Sequence, residues 1–139
     1  MLAMNIAFLA PSGINAPEVL VTDVRSNEGS VYVFVYNYQN QYPDNPYRYF
    51  EFKKSESDFN GQAYSFNLDS LEAGMYAIAV FDDENANGEM DRFLGIPREG
   101  YGFSNGGKPR FFKLPRYEDL LVSITSDKSE CVIEMRYAF

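Results

Sequence analysis

Val31-Tyr32-Val33-Phe34-Val35-Tyr36 sets valines on one side of an extended chain and aromatic rings on the other. Successive side chains of a strand point to opposite faces, so a period of two with both faces apolar predicts a strand covered on both sides. β-branched and aromatic side chains also suit a pleated surface.

The same period extends along the chain. Tyr64, Phe66 and Leu68 alternate with Ser65 and Asn67, which predicts one buried face and one wet face. Between Met75 and Phe81, Tyr76, Ile78 and Val80 share a face while Ala77 and Ala79 line the other. Alanines there predict close approach by something packed across them. Leu120, Val122 and Ile124 form another strand, and Cys131, Ile133, Met135 and Tyr137 form the last, with Glu134 and Arg136 facing out. Adding 18–24 and 49–53 gives about seven strands, as a two-sheet sandwich requires. No amphipathic helix pattern is present, so the predicted fold class is all-β. Asn40 to Pro46 and Asn105 to Pro109 read as turns. Leu71-Glu72-Ala73-Gly74-Met75-Tyr76 has the form L-x-x-G-x-Y, with a turn glycine ahead of a Tyr that can bond back to the turn. It resembles the tyrosine corner of Greek-key sandwiches.

At 139 residues, 45% of them apolar and 17% aromatic, the chain is one domain with a substantial core and is too apolar for disorder. There is no internal repeat or linker, so residues 18–139 are expected to form a single domain. Residues 1–17 are expected to be an N-terminal arm or the remnant of an export signal. They are apolar and rich in small residues but lack a basic start. No apolar run approaches the roughly 20 residues of a spanning helix, so no membrane insertion is expected.

The net charge of -8 argues against nucleic acid and anionic membranes, and the 12 basic residues read as scattered. The absence of histidine removes Ser-His-Asp and Cys-His catalysis and His-ligated zinc. No phosphate-cradling glycine motif is present. Carboxylate chemistry is what remains. With 20 acidic residues, neighbouring pairs arise by chance, so no enzyme is expected. Cys131 stands alone, forms no intrachain disulfide and reads as a small buried hydrophobe.

One constellation points to a metal. Asp83-Glu84-Asn85-Ala86-Asn87-Gly88-Glu89-Met90-Asp91 reads D-x-N-x-N-G-x-x-D. Oxygen ligands at alternate positions of a tight loop converge on one point, and the glycine permits the reversal. Asp83, Asn85 and Asn87 would give side-chain oxygens, Glu89 its carbonyl, and Asp91 a direct or water-mediated contact. Calcium, a hard cation taking 6–8 oxygens, suits the set. The match to a full calcium loop stops at the twelfth position, which is Leu94. Asp82 or Glu99 would then have to complete the shell. The alternative is a polar connection held by Asx turns.

Next come 95–107, with five glycines, one Pro and one Asn in thirteen residues. This predicts a long loop with several residues at positive φ. Glu99, Tyr101, Phe103, Ser104 and Asn105 are its candidate ligand or partner contacts. Alternatively, Tyr101 and Phe103 fold back and plug one end of the sandwich. Tyr36, Tyr38, Tyr42, Tyr47 and Tyr49 read as core plus rim.

Gly74-Met75-Tyr76-Ala77, Asp83 to Gly88, Asp91, Gly95-Ile96-Pro97, Glu99-Gly100-Tyr101-Gly102 and Ser104-Asn105 form one long composite pattern. With Pro115-Arg116-Tyr117-Glu118-Asp119 it resembles the bacterial domain of unknown function 2141 family. The resemblance runs from about Glu18 to the C-terminus. It implies a prealbumin-like or carboxypeptidase-regulatory-like sandwich, export to the periplasm or cell surface, and no known activity. Members often carry His just before the metal-like Asp, where this chain has Asp82.

The leading functional expectation is an exported, non-enzymatic module. Its 83–91 loop binds Ca²⁺, orders the glycine-rich stretch and presents it to a protein or glycan. A purely structural or adhesive domain with no metal or small ligand is the second. A carboxylate-dependent hydrolase, needing two carboxyl groups about 5–9.5 Å apart, is a distant third.

Overall fold

The computed structural model describes residues 16–60, 63–90, 92–93, 96–110, 113–125 and 129–138, with backbone alone at 58–60, 92–93 and 96. Residues 1–15, most of the expected N-terminal arm, lie outside the described residues. The strands are β1 (Glu18–Thr22), β2 (Ser30–Tyr36), β3 (Arg48–Lys53), β4 (Asp58–Asn60), β5 (Ala63–Asn67) and β6 (Gly74–Asp83). They continue as β7 (Arg92–Phe93), β8 (Ile96–Pro97), β9 (Gly100–Phe103), β10 (Val122–Ile124) and β11 (Glu130–Glu134). Each of the expected strands has a counterpart, although Leu120 falls outside β10 and packs in a different cluster from Ile124. Met135 and Tyr137 likewise fall outside β11. No long helix occurs among the described residues, so the fold is all-β. None of the described helical turns is long and apolar enough to cross a membrane.

One sheet has the order β11-β1-β5-β4, with β1 parallel to β11 and antiparallel to β5. The other has the order β10-β6-β2-β3, and β9 also pairs with β6. Alternation decides what meets between them. Val19, Val21, Tyr64, Phe66, Cys131 and Ile133 face Val31, Val33, Val35, Ile78 and Val80, all buried in one cluster. Phe52 stacks on Phe66 across the interior at 4.4 Å between ring centroids. Burying one such side chain fully contributes about 1.5–3 kcal/mol, so a charge at Val33 would undo the sandwich. Cys131 is the small buried hydrophobe expected, and burial pushes its thiol up to about 11.

The tyrosine corner forms as the spacing predicts, with the Tyr76 hydroxyl donating to the Glu72 carbonyl at 2.7 Å. The turn's left-handed residue is Ser70 (φ 67) rather than Gly74, which already belongs to β6. The two sheets join at one edge, where Tyr101 and Arg136 exchange backbone hydrogen bonds of 3.0 and 2.8 Å. Glycine is required at Gly100 and Gly102 for that junction. A Cβ on Gly100 would lie 2.5 Å from the Tyr137 ring, and one on Gly102 would lie 2.7 Å from the Glu134 carbonyl.

Candidate functional site

The register of β2, β6 and β9 puts Tyr32, Phe34 and Tyr36, then Ala77, Ala79 and Phe81, then Tyr101 and Phe103 on the outer face of the five-stranded sheet. This face was expected to be covered throughout, and it is covered only in part. Around Ala77, a second buried cluster forms from Tyr36, Phe103 and Leu120. Around Ala79 the face is open, and a groove of about 730 Å³ remains, within the usual range for ligand sites. Phe34, Ala79 and Phe81 form its floor, Tyr101 and Phe103 one wall, and Tyr42 with Leu114 the far end. The small alanines thus serve two purposes, admitting Leu120 at one position and leaving a hollow at the other.

Gly88 and Met90 of the 83–91 loop border the same groove. The loop is built from Asx turns. Asp83 accepts the Asn87 N–H at 3.2 Å and the Gly88 N–H at 2.8 Å. Asn85 accepts the Asn87 N–H at 3.2 Å, and Asn87 accepts the Glu89 N–H at 2.9 Å. Gly88 takes the sharp reversal at φ 76, and Ala86 is also left-handed at φ 57. Because Asp83 and Asn85 both bond the Asn87 N–H, their oxygens lie on one side of the loop. Asp91 lies outside the described residues. Among the described residues no three His, Cys, Asp or Glu side chains come together as a metal cluster. An oxygen that accepts one N–H keeps a second lone pair, so the donor set is compatible with a hard cation.

The stretch after this loop contains β8 and β9 rather than one long loop. β9 pairs with β6 through Ala79–Phe103 and Phe81–Tyr101, and only Asn105 and Gly106 among its described residues have positive φ. Of the candidate contacts there, Tyr101 is half-buried and Phe103 buried, both against the groove. Glu99 is buried at the start of β9. Ser104 is buried completely; its hydroxyl accepts the Ile78 N–H at 2.9 Å and donates to the Leu120 carbonyl at 2.6 Å. Asn105 donates to the Asp119 carbonyl at 3.1 Å. Ser104 and Asn105 thus pin the 117–120 segment, Ser104 from within the core and Asn105 from the surface.

A family model described as an uncharacterized protein conserved in bacteria (DUF2141) matches residues 19–132. The chain belongs to this family. No curated protein and no solved structure matches it.

In this DUF2141 chain the composite pattern coincides with β6, the 83–91 loop and β9, the elements that frame the groove. Two features escaped the sequence reading. First, four of the twelve basic residues are gathered in one place. Lys108, Arg110, Lys113 and Arg116 line a second hollow beside the groove, and Lys113 borders both. Arg116 is paired with Asp119 at 3.1 Å on the exposed surface. Their only signal is basic residues every two or three positions in 108–116.

Second, a charged network is buried behind the loop. Lys54, just past β3, and Asp82 near the end of β6 both have fully buried side chains, with Nζ 2.5 Å from Oδ1. The Tyr137 hydroxyl donates to Asp82 Oδ2 at 2.5 Å and accepts the Arg25 N–H at 3.1 Å. Burial raises the Asp82 pKa, and the adjacent Lys54 ammonium and the Tyr137 hydroxyl oppose that rise. Burial first, and the bond to Asp82 second, hold the Tyr137 phenol well above its usual range. Arg25 lies over the Tyr137 ring at 4.2 Å and binds Glu84 at 2.7 Å. The Arg25 bond lowers the Glu84 pKa. The signal was Asp82-Asp83 ending an otherwise apolar strand.

Proposed function

We propose that the protein is an exported, non-catalytic binding module. Its groove receives an extended apolar segment of a partner protein. The observation that carries this reading is the open aromatic hollow at Ala79, lying between two regions of opposite charge. The 83–91 loop, whose exposed acid among the described residues is Glu89, borders the Phe81 end through Gly88 and Met90. Lys113, with its basic neighbours, stands at the Tyr36–Tyr42 end. The fitting segment is apolar along its middle, basic at one end and acidic at the other.

The lining favours protein over glycan. A sugar needs convergent polar groups, and two of the groove's hydroxyls already serve backbone carbonyls. Tyr36 donates to Pro43 at 2.9 Å and Tyr42 to Pro115 at 2.8 Å. Ca²⁺ in the 83–91 loop, held by Asp83, Asn85, Asn87 and the Glu89 carbonyl, would stiffen one wall of the groove. Export rests on the family resemblance and the apolar N-terminal sequence.

The experiment is selection of a displayed random-peptide library on the folded protein, with counter-selection on Ala79→Leu, whose side chain fills the groove. Enrichment of apolar peptides with opposite terminal charges that ignore Ala79→Leu's surface supports the reading. Peptides that bind wild type and variant alike, or no enrichment, contradict it.

A further inference from the structure

We infer that the folded domain joins Lys54 to Asp82 through an isopeptide bond between the lysine Nζ and the carboxyl Cγ. The inference is independent of the groove and its partner. Three features of the buried pair carry it.

The first is distance. Ammonium–carboxylate hydrogen bonds run at about 2.7–2.9 Å. In the adduct formed as the amine adds to the carboxyl carbon, nitrogen and Oδ1 share Cγ, and single-bond lengths place them about 2.3–2.4 Å apart. The Nζ–Oδ1 separation of 2.5 Å is closer than an ion pair needs and approaches the covalent spacing.

The second is how the oxygens are partnered. Oδ1 has no hydrogen-bond partner, since the amine lies close to it but outside the angles of such a bond. Oδ2 takes the Tyr137 hydroxyl. That hydroxyl has one hydrogen and its oxygen already accepts the Arg25 N–H, so the hydrogen is committed to Oδ2. Lys54 also donates to the Ser26 carbonyl at 3.0 Å. The product amide would find both partners in place: its N–H on the Ser26 carbonyl, its C=O on the Tyr137 hydroxyl. The oxygen lost would be Oδ1, the one with nothing to hold it.

The third is burial. Both side chains are wholly shielded from solvent, and two buried charges become one neutral amide. Fixing amine and carboxyl in contact supplies the proximity that makes a slow condensation practicable.

The step balances without a co-reactant. The ammonium passes a proton to the carboxylate, and the neutral amine attacks Cγ. The Cγ–Nζ bond forms while Tyr137 holds the developing charge on Oδ2. The Cγ–Oδ1 bond then breaks, and Oδ1 leaves as water with two hydrogens from the original ammonium. The result is a covalent link between the end of β3 and the end of β6 in a chain with no disulfide.

The test is tryptic peptide mass analysis of the denatured wild-type protein. Cleavage after Lys54 should be blocked, and the peptide running from Lys54 to Arg92 should be lighter than its sequence by one water, about 18 Da. Lys54→Arg should restore the full mass of the variant chain. Tyr137→Phe should leave a measurable fraction unlinked, a change that a merely packing role for the ring would not cause. Free cleavage after Lys54, with every peptide at its sequence mass, overturns the bond. Complete linkage in Tyr137→Phe overturns the role given to Tyr137.

Discussion

Ser104 donates its hydroxyl hydrogen to the carbonyl of Leu120 across 2.6 Å, with both residues wholly buried. The bond closes a gap in the five-stranded sheet. β6 pairs with β10 up to Tyr76 and with β9 from Ala79, which leaves the Ile78 N–H facing neither strand. The Ser104 hydroxyl accepts it at 2.9 Å. Ser104→Ala leaves a buried donor and a buried acceptor without partners, at a cost of about 1–3 kcal/mol. Urea unfolding should show a lower midpoint with an unchanged slope.

The tyrosine corner is a weaker tie. Tyr76→Phe keeps the buried ring and loses only the bond to the Glu72 carbonyl. The expected loss is about 0.5–1.5 kcal/mol, because that carbonyl lies where water can replace the hydroxyl. The same urea titration, with Ser104→Ala alongside, should rank the serine variant as the less stable.

High pH should unfold the protein through its tyrosines. Burial pushes the Tyr36 and Tyr42 phenols up to about 12. In the unfolded chain they ionise near 10. A folded-state value above the unfolded one contributes stability that is intact below pH about 10 and is lost as pH rises to about 12. Phenolate absorbance should show a late phase that coincides with loss of β-sheet circular dichroism. Tyr42→Phe should shrink that phase.

Much of this molecule was legible because its information is local. Strand periodicity depends only on neighbouring side chains, and the tyrosine corner spans Glu72 to Tyr76, so both were visible. β9 was not, because Gly100 and Gly102 answer to the Tyr137 ring and the Glu134 carbonyl, which sequence spacing does not bring near. Read locally, alternating glycines look like a loop. Lys54 follows another lysine at the end of a strand and reads as a solvated end; only the fold carries it to Asp82. The alternating Asp and Asn residues did mark a tight loop, and the same oxygens that would bind a cation build its Asx turns. That double duty is why the spacing leaves the metal open.

Calcium is tested by thermal unfolding of chelator-treated protein titrated with Ca²⁺, with Mg²⁺ as control. A ligand that binds only the native state adds about 2.7 kcal/mol at a hundred times Kd. A Ca²⁺-selective rise in Tm, lost in Asn85→Ala, is the expected outcome. Equal curves with and without Ca²⁺ would leave the loop to its Asx turns.

The most direct measurement of the groove's role is calorimetric titration of a library-selected peptide into wild-type protein and into Ala79→Leu, at several temperatures. Binding to the wild type with a negative heat-capacity change, the mark of apolar burial, and none to a folded Ala79→Leu is the predicted result. Equal affinity for both proteins would place the binding surface elsewhere and contradict the account.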